Sequence, residues 1–201
     1  MDNTLSPILQ LSNDLNSSID IAYKYFADNI GNRAKRPALF EKEVFIECGE
    51  KIDDRPVGFW HMVSIEEKHG FEDLLPCTND QSLSWCDQNC NTNQHQVAIK
   101  YGQEKRNLCL YRAARLPWIL DIIKFANRDD PAVQVWLVPG GSKKSDKLYL
   151  RYNQKGNDYL LVFSVEKHYY RLISSFPVFY LREKKTLTEN YQTYKWSYFD
   201  K

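Results

Sequence analysis

Residues 158–180, D-Y-L-L-V-F-S-V-E-K-H-Y-Y-R-L-I-S-S-F-P-V-F-Y, constrain the fold more than any other stretch. Tyr159 to Val165 is a nearly unbroken run of aliphatic, β-branched and aromatic side chains, the composition of a strand buried on both faces. Glu166, Lys167 and His168 interrupt it, and Tyr169 to Phe176 resumes it. Pro177 lacks an N–H and is a poor central ladder residue, so the run ends there. Two such runs around a polar triplet predict a hairpin with the triplet at its tip. Ser174 and Ser175 place two hydroxyls where aliphatics are expected, which singles them out as candidates for chemistry.

The rest of the chain supplies partners for that hairpin. A-V-Q-V-W-L-V after Pro131 and K-L-Y-L-R-Y from Lys147 read as two further strands, joined by a Gly/Ser/Lys loop. That loop, G-G-S-K-K-S, lacks the first Gly and the G-K-[ST] spacing of a phosphate loop. Upstream, Leu11, Leu15, Ile19, Ala22 and Phe26 recur along one helical face, predicting a helix over 7–30 with Ser6 as N-cap and Pro7 at its first position. Leu39 to Cys48 alternates for part of its length and predicts a strand. Residues 107–127 are helical in pattern, and Pro117 divides them into two helices. Residues 181–198 mix Lys184, Lys185 and Lys195 with Tyr191, Tyr194, Trp196 and Tyr198, as in a short helix and tail docking on the sheet.

Helices first and an antiparallel meander last mean an α+β fold, N-terminal helices packed on a small antiparallel sheet. The expected division is a helix-and-strand extension over 1–54 and an α+β domain over 55–201, with an irregular insertion at 66–105. Within 201 residues, a hydrophobic fraction of 43% is enough for a core. The net charge of +1 gives no global attraction for a polyanion, so a nucleic-acid function needs a local basic patch. No apolar run approaches the ~20 residues of a membrane span. The N-terminal M-D-N-T-L-S-P reads as carrying no secretory signal. Five irregularly spaced cysteines fit a reducing, cytoplasmic setting better than a disulfide framework.

Three groups of residues can carry chemistry. His61, within the apolar G-F-W-H-M-V-S, is either a satisfied core histidine or a general acid/base. Arg112 and Arg115 are three apart on one helical face and suit a phosphate clamp, or else a solvated or salt-bridged face. Cys77, Cys86, Cys90 and His95 are a donor set that zinc accepts, but C-x8-C-x3-C-x4-H lacks a tight C-x2-C pair, which favours a surface insertion over a zinc site.

G-F-W-H-M-V-S, R-A-A-R-L-P-W-I-L-D-I-I and the stretch from Asp158 to Val178 together resemble the phage-associated PBECR group of barnase-, EndoU-, colicin- and RelE-like nucleases. The likeness covers roughly residues 55–180 apart from the insertion. It implies a BECR-like fold and cleavage of RNA without metal or other cofactor, in a toxin or phage effector that an antitoxin or immunity protein restrains. Such chemistry needs a base for the ribose 2′-OH, an acid for the departing 5′-oxygen and cations for the developing charge. On this resemblance His61 is base or acid, and Lys167 or His168 is the second proton-transfer group or a charge stabiliser. Arg112 and Arg115 hold the phosphate, and Ser174 or Ser175 donates to a phosphate oxygen. The last strand carries S-S-F where the group commonly has T-A-Y, so Phe176 brings no hydroxyl to that position. The competing reading is a non-catalytic nucleic-acid or protein-binding module on the same fold.

Overall fold

The computed structural model describes residues 3–66, 96–99, 103–142 and 144–199. The fold is α+β, built as two compact units. One, the sheet unit, comprises Met1–Ser6, Arg36–Ile46 and Trp118–Lys201; the other, the helical unit, comprises Pro7–Lys35 and Glu47–Pro117. Most of the 66–105 insertion, with Cys77, Cys86, Cys90 and His95, lies outside the described residues.

The sheet unit is the predicted meander with one addition. Strands β7 (Val133–Val138), β8 (Lys147–Gln154), β9 (Asn157–Val165) and β10 (Tyr169–Pro177) pair antiparallel in sequence order. Glu166, Lys167 and His168 form the β9–β10 tip as predicted, and the Glu166 N–H donates to the Tyr169 carbonyl at 3.0 Å. The β8–β9 turn is tighter than its polar sequence suggests: Lys155 and Gly156 alone form it, with φ of 54° and 77°. Paired positive φ values are the backbone of a type I′ hairpin turn, which glycine accommodates without strain. The sheet is not wholly antiparallel. The strand predicted over 39–48 shrinks to β1 (Glu43–Phe45), which pairs parallel to β10 at the sheet edge. Phe40 and Glu41 adopt φ of 46° and 68°, a turn that interrupts any longer strand.

Alternation sends successive residues to opposite faces of this sheet. Tyr152 and Tyr159 meet Phe125 and Trp118 of helix α4 (Leu116–Asn127) on one face. Trp136 and Leu160 face the other way and pack with Val178 and Leu187, the last on helix α5 (Leu181–Phe199). Thr186, Thr188 and Thr193 donate to carbonyls four residues back in α5, so this threonine-rich helix owes its place to packing more than to propensity.

The helical unit departs further from expectation. Helix α1 (Leu15–Tyr25) starts at Asp14, whose carboxylate accepts from the Ser17 N–H at 2.7 Å, and ends in one π-helical turn, Phe26–Ile30. Ser6 is not its N-cap. In the sheet unit, the Ser6 N–H donates to Asp121 Oδ2 at 2.7 Å, and its carbonyl accepts from the Trp118 indole at 2.9 Å. A short hairpin, β2 (Lys51–Ile52) and β3 (Arg55–Pro56), leads into helix α2 (Val57–Val63), so residues 54 and 55 lie together within this unit. A three-stranded sheet, in the order β4 (Ser64–Glu66), β6 (Glu104–Leu108), β5 (Gln96–Ile99), follows, and then helix α3 (Leu110–Ala114). Asn107 and Leu108 are therefore strand, not helix. The division at Pro117 holds: α3 ends at Ala114 and α4 begins at Leu116. Among the described residues, no helix is long and apolar enough to cross a membrane.

Candidate functional site

His61 stands on α2, a helix whose other six residues are all buried; its own side chain is half-buried. The helix forms here because loop carbonyls meet its first donors. The Gly58 N–H donates to Glu47 O and the Val57 N–H to Glu50 O, each at 2.9 Å. Helix starts otherwise leave such donors unpaired. The chain turns extended at Ser64. The Ser64 hydroxyl donates back to the Trp60 carbonyl, and the Cys109 N–H caps the Val63 carbonyl at 2.8 Å.

Two arginines complete this helix end. The Ser64 carbonyl accepts from Arg106 Nη2 at 3.0 Å and from Arg112 Nη1 at 2.8 Å. Arg106 Nε also donates to Ser64 Oγ at 2.9 Å, and its Nη1 pairs with Glu104 Oε1 in a buried ion pair. Cations at the carbonyl end of a helix complement its dipole. His61 stands in the last turn of the same helix, three residues before Ser64. The structure thus brings an imidazole and the charges of Arg106 and Arg112 to one end of α2.

Arg115 does not join them as a second jaw. It caps α3, and its guanidinium folds back on its own helix, with Nη1 3.2 Å from the Tyr111 carbonyl and the charge centre 3.3 Å from the Tyr111 ring centroid. It is 3% exposed. Sequence reasoning missed both Glu104, at the end of the stretch 66–105 read as irregular, and Arg106, just beyond it. The available signal was E-K-R-N-L, since residues two apart on a strand share a face.

In the sheet unit, Lys167 and His168 are exposed at the hairpin tip. Ser174 and Ser175 are well down β10, past a bulge between Leu172 and Ser174. At 3.3 Å per residue they lie roughly 20 Å from the tip. They also point apart. Ser174 pairs with Val162 and Ser175 with Leu161, on opposite faces. Ser174 is half-buried. Ser175 is fully buried, and its Oγ has no hydrogen-bond partner among the described residues. His61, Arg112 and Arg115 belong to the helical unit, and Lys167, His168, Ser174 and Ser175 to the sheet unit.

Comparison with protein-family models, with curated proteins and with solved structures finds no match for this chain.

Proposed function

We propose that the protein is a metal-independent RNA endonuclease of the toxin or phage-effector kind, with His61 as a proton-transfer group. The observation that supports this is the end of α2, where a half-buried imidazole shares one helix terminus with Arg106 and Arg112. In the reaction a ribose 2′-oxygen bonds to the adjacent phosphorus as the P–O5′ bond breaks. The base takes the 2′-OH proton and the acid delivers one to the leaving 5′-oxygen, giving a 2′,3′-cyclic phosphate and a 5′-hydroxyl. Arg112 supplies positive charge for the pentavalent transition state, where fixed cations act most strongly.

The test is incubation of purified protein with RNA in EDTA, with analysis of product ends. Fragments ending in 2′,3′-cyclic phosphate, absent with His61→Ala, support the proposal. Intact RNA in the presence of folded wild-type protein removes it.

One observation favours the second reading, a non-catalytic RNA-binding module. Ser175 is fully buried, so of the two serines only the half-buried Ser174 is left to donate to a phosphate. Salt-sensitive RNA binding without cleavage is the outcome that selects it.

A further inference from the structure

One strip of the sheet unit gathers cations and rings. Arg171 of β10 pairs in register with Ser164 of β9, and Ser164 with Lys147 of β8. The three side chains therefore stand side by side on one face. Strands about 4.8 Å apart put the two cations about 10 Å from each other, astride the serine. Phe45 of the edge strand β1 pairs with Arg171 and extends the row.

The rings lie at the β1 end. Phe45 and Tyr169 have centroids 5.2 Å apart, and both are half-buried. The Arg171 guanidinium is 5.3 Å from the Phe45 centroid, and its Nη2 donates to the Tyr169 hydroxyl at 3.3 Å. Helix α5 covers the neighbouring rows of this face and the β7 end of this one: its apolar cluster takes in Trp136 and Leu160 and reaches Tyr149, Val162, Phe176 and Val138, which pairs with Lys147. Neither Arg171, Ser164 nor Lys147 belongs to it.

Lys147 feels its neighbours. Burial pulls its ammonium below the ordinary lysine range; Glu166 opposes this, while Arg171 and Lys144 add to it. Like charges held together in this way are relieved by an anion. The acidic groups nearby are Glu166, which accepts from the Ser164 hydroxyl at 3.0 Å; Asp146, which accepts from the Gly140 N–H at 3.0 Å; and Glu43, opposite Tyr169. Two of the three thus already accept hydrogen bonds from the protein.

We infer that the row Lys147–Ser164–Arg171, with Lys144 beside it and Phe45 and Tyr169 at its edge, binds single-stranded RNA. The cations contact phosphates and the rings take an unstacked base. Single strands expose base faces that aromatic side chains stack on, whereas a duplex hides them. The inference deepens the RNA reading above and rests on it for the class of polyanion. It adds a binding surface in the sheet unit that does not use His61.

The experiment is fluorescence anisotropy with a labelled single-stranded RNA whose riboses are 2′-O-methylated, so that cleavage by 2′-OH attack cannot occur. The proteins compared are wild type, the double variant Lys147→Gln/Arg171→Gln, and Lys144→Gln at an exposed turn position, which needs no packing to be preserved. Each lost phosphate contact lowers the salt slope of binding by about one and weakens affinity about tenfold at low salt. Tyr169→Leu weakens binding several-fold with the slope unchanged. Unchanged affinity and slope in the double variant and in Lys144→Gln overturn the inference, as does equal competition by duplex RNA or by polyglutamate. Normal binding without cleavage of unmodified RNA removes the nuclease proposal and leaves this surface standing. Cleavage retained, with binding indifferent to these substitutions, does the reverse.

Discussion

Arg151 grips Asp158 through two parallel hydrogen bonds, Nε to Oδ1 at 2.8 Å and Nη2 to Oδ2 at 2.7 Å, with side chains only 2% and 6% exposed. The pair lies on the sheet face that α5 covers. Arg151 Nη1 reaches across to the Thr188 hydroxyl at 3.1 Å, and Lys184 Nζ stands 3.8 Å from Asp158 Oδ2. The ion pair therefore fastens the last helix to the sheet. Removing one partner strands a buried charge, so Arg151→Met is expected to destabilise the protein by about 3–5 kcal/mol. Arg151→Met/Asp158→Leu recovers much of that loss. Urea denaturation of both variants is the check; equal losses would show that the pair is not coupled.

Glu104 balances Arg106 in the same manner within the helical unit, with side chains 9% and 8% exposed. Glu104→Gln leaves the arginine without its carboxylate and is expected to cost about 3 kcal/mol. Because Arg106 also holds Ser64, hydrogen exchange at the end of α2 rises in this variant more than in α5. Uniform exchange changes across the chain would argue against a local role.

Ser175 carries a buried hydroxyl with no partner among the described residues. Desolvating an unpaired hydroxyl is unfavourable, so Ser175→Ala is expected to be neutral or stabilising by about 1 kcal/mol. A loss of stability beyond about 1 kcal/mol in chemical denaturation would mean that the hydroxyl has a partner in solution.

Asp14 caps α1, and the Ser17 backbone N–H, followed by the Ser17 side chain, holds its carboxyl below its ordinary value of 3.8. A carboxyl whose folded pKa is depressed contributes stability that is fully present above the unfolded value and lost as pH falls through the folded one. The Tm advantage of wild type over Asp14→Ala should therefore be constant near neutrality and shrink only below 3.8. Thermal melts of the two proteins across the acid range decide this. A gap that closes nearer pH 6 than 3.8 would point to a histidine instead.

If His61 moves a proton in RNA cleavage, His61→Gln lowers kcat by about 10²–10⁴-fold with little change in Tm, because the side chain is only half-buried. Cleavage rates measured alongside melting curves separate this from unfolding. An unchanged kcat excludes the role.

Much of the sheet unit was legible because its determinants are local. Apolar runs of strand length, the polar triplet 166–168 and the steric demand of Pro117 each act within a few residues. Alternation alone separates Ser174 from Ser175, so their divergence was also available from sequence. Helix α2 was not. It is buried nearly all round and shows no amphipathic stripe, and its first donors are met by carbonyls of the preceding loop. The same holds for β1, whose parallel pairing with β10 joins segments more than a hundred residues apart.

The sequence by itself determined the meander of β7 to β10, the hairpin tip and the helix break at Pro117, since backbone sterics and the spacing of apolar residues fix these over short range. Only the tertiary structure decided where several of the charges go: Arg106 and Arg112 to the Ser64 carbonyl, and Lys147 into line with Arg171. A guanidinium donates to any carboxylate or carbonyl that strand register and helix packing bring within reach, and that choice is made by segments distant in the chain.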